Sequence, residues 1–551
     1  MLIVPTSPHT DTRMGAASAY LHRFFAQENR CANVFSTAVQ VAAAPIRANA
    51  DERTCVDQPS CFPQVDQGIR VVNLLWMSAT QRSAGVAATG LKLSIPRLRR
   101  LMPLAAFCIA FAGTLEIALS QGIKPFYYDA GQYWQLGDTF TVNGHFSLLN
   151  FSSPIRGYIM PLIDHELQLL STSLKWNPSS LVKLLNVLIF ASVGAVLAPK
   201  YAQIIWPSQR WGIVRRLLLA SLLIAFWSGY LNFPLSDFFA LAMALLALVA
   251  VAHPDNPGWM LVSGAAGALA IDARSAYLIV GLILLLLIAG TWLDRHVAVA
   301  SHWRRAVCIG LFIVGFAVVS LPQSLSAHRY NNTWSFVPGP HLSLEDLYLE
   351  PGMAGQRYDT YVGIDHPGSF TYAYEPGLKL LHAQKDGQIS SVGQYLGLIV
   401  SHPLVMGGLY LSHFVNGVDA RYTTVYVEHL ETKSHLMRRI VGFLLVFAAL
   451  VRVLWPAARR RLGPGRWRYA IALPACCLTS IATAVEVRYL LPIYLIVYMI
   501  ALAPGWPNPI GPADAGWRRF QTPVIIALAG LVFALVVVHV TGDASSHVQW
   551  G

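Results

Sequence analysis

Eleven apolar runs, most of them near 20 residues long, recur between residues 102 and 540, with arginines gathered in short clusters between them. A helix rises 1.5 Å per residue, so about 20 apolar residues cross the ~30 Å hydrocarbon layer of a bilayer. The runs lie at 102–120, 181–199, 214–231, 235–252, 258–273, 276–293, 305–322, 437–455, 469–485, 489–504 and 521–540. Only 12% of the 551 residues are charged, against about 25% in soluble domains. Lipid must therefore solvate most of the chain. The expected fold class is an all-α polytopic membrane protein of about eleven transmembrane helices. The net charge of +12 could suggest nucleic acid. Its placement between apolar runs makes it a topology signal instead, and no nucleic-acid partner is expected.

The arginines set the orientation. Arg97, Arg99 and Arg100 precede the first run, and Lys200, Arg210, Arg215 and Arg216 follow the second. Arg295, Arg304 and Arg305 follow the sixth, Arg459, Arg460, Arg461, Arg466 and Arg468 the eighth, and Arg518 and Arg519 precede the last. With eleven crossings every cluster falls on one side, which puts the N-terminus in the cytoplasm and the C-terminus outside. Counting 393–414 as a crossing would break this pattern. His402, Pro403 and His413 also interrupt it, so it reads as an interfacial helix on the outer surface.

The expected organisation is a transmembrane domain over 101–541, with outer loops at about 121–180 and 323–436 carrying short amphipathic helices. A cytoplasmic basic segment over 77–100 precedes it and a short outer tail over 542–551 follows. Residues 1–76 hold no long apolar run and no secretory signal. They read either as a disordered cytoplasmic tail or as an extension upstream of a start at Met77. Their lack of low-complexity bias favours the second. No internal repeat is visible.

Asp129 follows the first run among Tyr127, Tyr128, Tyr133 and Trp134. A partly desolvated acid there is suited to proton abstraction, though an N-cap of the following segment is the commoner use of such a residue. Arg274 and Arg488 sit in short outer connections, where guanidiniums suit a lipid phosphate. Their plainer partners are Asp272 and Glu486. Asp237, after Pro234, reads first as a helix cap. Arg156 suits a substrate or a loop contact equally, and His145 reads as structural. Glu116, Lys183 and Asn186 read as snorkelling side chains near helix ends. The aromatics of the second loop (Tyr348, Tyr358, Tyr361, Tyr372, Tyr374) suit either sugar stacking or an interfacial belt. Cys108, Cys308, Cys476 and Cys477 lie in apolar runs, and Cys31, Cys55 and Cys61 near the N-terminus show no metal spacing.

The stretch DAGQYWQLGDTF…NGHFSLLNFSSPIRGYIMPLI resembles the first outer loop of GT-C fold glycosyltransferases, a group that includes the protein O-mannosyltransferases and lipid A aminoarabinose transferases. The matching features are Asp129, Tyr133 four residues on, and Ser153-Pro154-Ile155-Arg156-Gly157-Tyr158. Pro234-Leu235-Ser236-Asp237, the Gly264–Tyr277 stretch and Glu486-Val487-Arg488-Tyr489-Leu490-Leu491-Pro492 extend the resemblance over about 101–505. It implies that Asp129 is a catalytic base, deprotonating an acceptor hydroxyl that attacks a polyprenyl-phosphate sugar. Tyr133, Arg156, Asp237, Glu486 and Tyr489 are then weaker candidates for substrate contact or a second acid. Many members carry two adjacent acids, whereas Ala130 follows Asp129 here; Asp138, Asp164, Glu166 and Asp237 all remain open as a second acid.

The leading expectation is an inverting glycosyltransferase at the periplasmic face of a bacterial inner membrane. It would use a polyprenyl-phosphate sugar donor, a lipid, glycan or protein acceptor, and surrounding membrane lipids. No cofactor is expected, and a divalent metal stays open. The rivals are a transporter or lipid-linked glycan flippase, which calls for mid-membrane charge and repeated halves, and an O-antigen polymerase or ligase.

Overall fold

The computed structural model describes residues 95–122, 126–153, 155–293, 302–338, 349–362, 368–427, 433–454, 465–483, 485–503, 518–546 and 548–550. The readings of residues 1–76, and of Arg295, Tyr348 and Arg459–Arg461, lie outside them. The fold is mostly helical.

The helices are α1 (Ile95–Ser120), α2 (Tyr128–Leu136), α3 (Ile159–Leu174), α4 (Pro178–Ile205), α5 (Ile213–Trp227), α6 (Ser236–Val251), α7 (Pro257–Ala273), α8 (Leu278–Leu293), α9 (His302–Asn331), α10 (Glu375–His382), α11 (Val392–Ser401), α12 (Pro403–Gly417), α13 (Lys433–Leu454), α14 (Trp467–Ala475), α15 (Leu491–Leu502) and α16 (Arg518–Ser546). A helix lies at each of the eleven apolar runs. The run over 469–485 is the least regular: α14 contains Pro474 and is followed by a separate turn at Leu478–Ile481. Proline removes a helical hydrogen bond and clashes with the preceding turn. Among the described residues, four helices are long and apolar enough to cross a membrane, or five if the bent pair α11–α12 counts as one.

The centre of the bundle follows from composition. Helices α6 and α15 are apolar on nearly every face and almost entirely buried, as expected for helices without a polar stripe. Around them, α1, α8, α9 and α16 leave large apolar side chains exposed, among them Leu104, Leu286, Val318 and Val532. So much exposed apolar surface suits lipid rather than water. Helices α7 and α9 meet closely: a Cβ on Gly264 would lie 2.0 Å from the Phe312 carbonyl oxygen, and one on Gly315 2.2 Å from that of Leu261. Only glycine permits that approach.

At one end of the bundle, arginines finish helices. Arg216 ties α5 to the Ala195 carbonyl within α4 and to that of Trp211, while at the carboxyl ends of α4 and α15 Arg466 donates to Ile204 and Arg452 to Ala501 and Ala503. Cations there satisfy terminal carbonyls and complement the helix dipole.

The regions between the apolar runs differ from several expectations. The fold is not all-α. Thr141–Val142 (β1) and His145–Phe146 (β2) form a small hairpin in the first loop. In the second region Gly355–Tyr361 (β3), Gly368–Ala373 (β4), Tyr426–Val427 (β5) and Val548–Trp550 (β6) make a sheet of order β5-β3-β4-β6. Toward the C-terminal end, α16 runs to Ser546, and β6 pairs antiparallel with β4. Helix α9 continues to Asn331, so the second region begins later than residue 323. The segment over 393–414 is two helices, bent by 106° at His402, because Pro403 cannot continue α11. A buried ionic cluster anchors the sheet to α12: Arg357 pairs with Asp359 at 2.6 Å and donates to the Asn416 and Asp419 carbonyls, while Asp419 also pairs with Arg421 and Arg439.

Lys183 and Asn186 do not snorkel. Lys183 donates to the Gln121 carbonyl at 2.6 Å, and Asn186 to those of Leu231 and Phe233. Both tie helix ends together near the candidate site.

Candidate active site

The end of the bundle opposite those helix-finishing arginines gathers six charged side chains from five stretches of chain. Asp129 lies in the first turn of α2, and Arg156 in the loop before α3. Asp237 starts α6, and Arg274 ends α7. Glu486 and Arg488 precede α15. Four helix ends meet here because successive antiparallel helices return alternate connections to the same end.

Arg488 is the hub. Its guanidinium lies 3.1 Å from Asp129 Oδ2, 2.5 Å from Glu486 Oε2 and 3.7 Å from Asp237 Oδ2. Arg156 pairs with Asp129 Oδ1 at 2.6 Å, and Arg274 pairs with Asp237 Oδ1. Three guanidiniums thus face three carboxylates. Arg488, Asp237 and Glu486 are buried, while the Asp129 side chain is 30% exposed. The most accessible carboxylate in the cluster is therefore also the one the sequence nominated as base.

Aromatic rings support the cations. Arg274 lies 4.3 Å from the Tyr489 ring centroid, Arg488 5.7 Å from the same ring, and Arg156 5.0 Å from Tyr133. A guanidinium over an aromatic face is attracted to the ring quadrupole. Tyr489 Oη donates to Glu486 at 2.8 Å. Tyr133 is buried, its hydroxyl 3.3 Å from Ser236 Oγ.

The capping readings are corrected. Asp129 is inside α2, whose N-cap is Tyr127 with no side-chain cap. Asp237 is likewise inside α6 rather than capping it. Both carboxylates instead point at arginines, which supply an opposite charge as well as hydrogen bonds. Arg274 is not paired with Asp272. That residue turns the other way and accepts the Ile159 amide at 2.8 Å, so it anchors the loop that carries Arg156. A Cβ on Gly157 would lie 2.0 Å from the Asp272 carbonyl, so glycine is required for the loop to dock against α7. Arg488 does pair with Glu486, and with two other acids besides. His145 and Glu166 stand outside the cluster, as do Asp138 and Asp164; Asp164 is buried with both carboxyl oxygens unbonded.

Electrostatics follow from the geometry. Burial pushes the Asp129 carboxyl up, but the guanidiniums of Arg488 and Arg156 more than offset this and hold it below the usual carboxylate range. Asp129 is therefore ionised at neutral pH. Among the described residues, no group of three or more His, Cys, Asp or Glu side chains is arranged to hold a metal ion.

Sequence reasoning met Ser236 only within the Pro234–Asp237 motif and Asp272 only as a partner for Arg274, and it gave Tyr426 no role of its own.

No family model matches the chain, and no curated protein matches it.

Proposed function

We propose that this protein is a polytopic membrane glycosyltransferase of the GT-C type. It moves a sugar from a polyprenyl-phosphate donor to a hydroxyl on a lipid, glycan or protein acceptor at the outer face of the membrane. The carrying observation is the contact of Asp129 with both Arg156 and Arg488, 359 residues away in the case of Arg488. A base and phosphate-binding groups within one cluster meet the near-contact placement that group transfer demands.

In this mechanism Asp129 accepts the proton of the acceptor hydroxyl. The hydroxyl oxygen attacks the anomeric carbon as the bond from that carbon to the phosphate oxygen breaks. The lipid phosphate leaves as an anion, and a single displacement inverts the anomeric centre. Arg488, Arg274 and Arg156 stabilise the charge growing on the departing phosphate. A donor phosphate competes with the carboxylates for these guanidiniums. Its binding thus weakens the restraint on Asp129 and makes the carboxylate a stronger base when the acceptor arrives.

We read all eleven helices as crossings, with the N-terminus cytoplasmic and the C-terminus periplasmic in a bacterial inner membrane. Pairing of β6 with β4 supports this, since it holds the C-terminus on the same side as the second outer region. Cysteines placed at Lys385 and Ser545 in a cysteine-free background should label from the outside with a membrane-impermeant maleimide. One at Arg210 should label only after permeabilisation. Labelling of positions 385 and 545 from opposite sides overturns the topology.

The pH dependence has a defined sign. Asp129 acts as a carboxylate, and its pKa is held low. The acidic limb of kcat/KM should therefore lie below the ordinary carboxylate range. Arg156→Gln removes one of the guanidiniums responsible, so that limb should move to higher pH. An unmoved limb counts against Asp129 as the titrating base.

A further inference from the structure

The Asp129 carboxylate is only as well placed as the amino end of α2. The first four amides of a helix have no partner within it, and the N-cap residue Tyr127 supplies no side-chain acceptor. Asp129, in the first turn, is committed to arginines. The partner comes from the far side of the chain. The Ala130 amide donates to the Tyr426 hydroxyl at 3.1 Å, across 296 residues of sequence. The same hydroxyl donates to the Tyr127 carbonyl at 3.0 Å. One oxygen therefore bridges residues 127 and 130, and Asp129 lies between them.

A second observation falls on the same three residues. Tyr128 has a φ of 35°, a left-handed conformation that a bulky side chain adopts only when its surroundings impose it. Tyr426 is part of those surroundings. Its ring lies 6.1 Å from that of Tyr128 at an interplanar angle of 29°, and 6.0 Å from that of Tyr127. On its other side, the Phe233 ring meets it edge-on at 4.7 Å.

Tyr426 is itself held firmly. It is buried, pairs with Thr360 in the sheet, and has its amide bonded to Thr424 Oγ1 at 3.3 Å. The adjoining Thr423 carbonyl accepts the Gly229 amide at 3.1 Å, which fixes the segment to the end of α5. Tyr426 thus transmits the rigidity of the second outer region to the first.

We infer that Tyr426 is a positioning residue for Asp129: its hydroxyl clamps the amino end of α2 and so sets where the carboxylate stands relative to Arg156 and Arg488. The catalytic consequence rests on the role proposed for Asp129; the clamp itself does not.

Tyr426→Phe removes the hydroxyl and keeps the ring, and two readouts separate the claims. Hydrogen–deuterium exchange over residues 126–136 should accelerate at least ~10-fold at the Ala130 amide, since the Tyr426 hydroxyl that accepts from it is lost. Turnover should fall ~10- to 100-fold, as expected for a misplaced catalytic group, with the donor KM within about 2-fold of the parent. The acidic limb of the pH profile should move to higher pH as Asp129 loosens from its arginines, an effect that mere loss of folded protein does not produce.

If Tyr426→Phe does not accumulate as folded protein, 4-aminophenylalanine at this position keeps a donor for the Tyr127 carbonyl but is a poor acceptor. It should expose the Ala130 amide and give intermediate turnover. Unchanged exchange at Ala130 overturns the clamp, and unchanged turnover with faster exchange overturns its catalytic importance. Undiminished activity of Asp129→Asn removes the base assignment, yet leaves the exchange result to judge the clamp.

Discussion

Asp129→Asn is expected to lower sugar transfer by about 10²- to 10⁴-fold, the range over which a positioned general base contributes. The amide matches the carboxylate in size and its oxygen can still accept from Arg156, so the fold should survive. What changes is basicity and charge. The cluster holds three guanidiniums (Arg156, Arg274, Arg488) and three carboxylates (Asp129, Asp237, Glu486), so its charges balance. Replacing Asp129 leaves an excess positive charge. A lipid-phosphate donor should therefore bind the variant at least as tightly as the parent, while turnover collapses. Single-turnover transfer from a labelled donor, alongside donor binding to the same detergent-purified protein, reads both. Undiminished transfer removes Asp129 from the mechanism. Weaker donor binding argues that the arginines do not meet the phosphate.

The second large effect is on stability. Arg488 is buried and neutralises two buried acids, Asp237 and Glu486, besides the more exposed Asp129. Breaking such a pair from one side typically costs about 3–5 kcal/mol, because the remaining charge stays buried without a partner. Arg488→Gln should lower the thermal midpoint markedly as well as abolish transfer. Adding Glu486→Gln should restore part of the stability and none of the activity, since it removes a stranded charge without restoring the cation. Arg156→Gln touches a pair whose side chains are 25% and 30% exposed, so solvent screens the loss and the midpoint should move much less. Equal stability of Arg488→Gln and the parent shows that the hub carries no structural load. Thermal unfolding of the four proteins in one detergent makes the comparison.

Much of the scaffold was legible because hydrophobic run length is a local property. A helix lies at each apolar run, and Arg466, one of the clustered arginines, meets the carboxyl end of α4. Arg274 and Arg488 were nominated because charge is costly beside an apolar run, and Asp129 because its aromatic neighbours partly desolvate it. Two errors came from stopping at local rules. Asp129 and Asp237 each sit where a helix begins, and capping is the best local use of an acid there. The arginines that claim them are remote in sequence. The all-α expectation holds for most of the chain and missed the small sheets for a similar reason: Val548–Trp550 is too short to announce a strand, and becomes one only because β4 offers an edge to pair with.

By itself, then, the sequence determined where helices form, which ends carry the basic residues, and which acid and arginines are candidates, because those depend on residues within a turn or a helix of one another. The tertiary structure alone decided that Asp129 and Arg488 touch, that Asp237 and Glu486 complete a balanced cluster, and that Tyr426 grips the helix bearing Asp129. These depend on which helix ends meet. Packing of the buried helices α6 and α15 among their neighbours sets that, through shape rather than through any pattern along the chain.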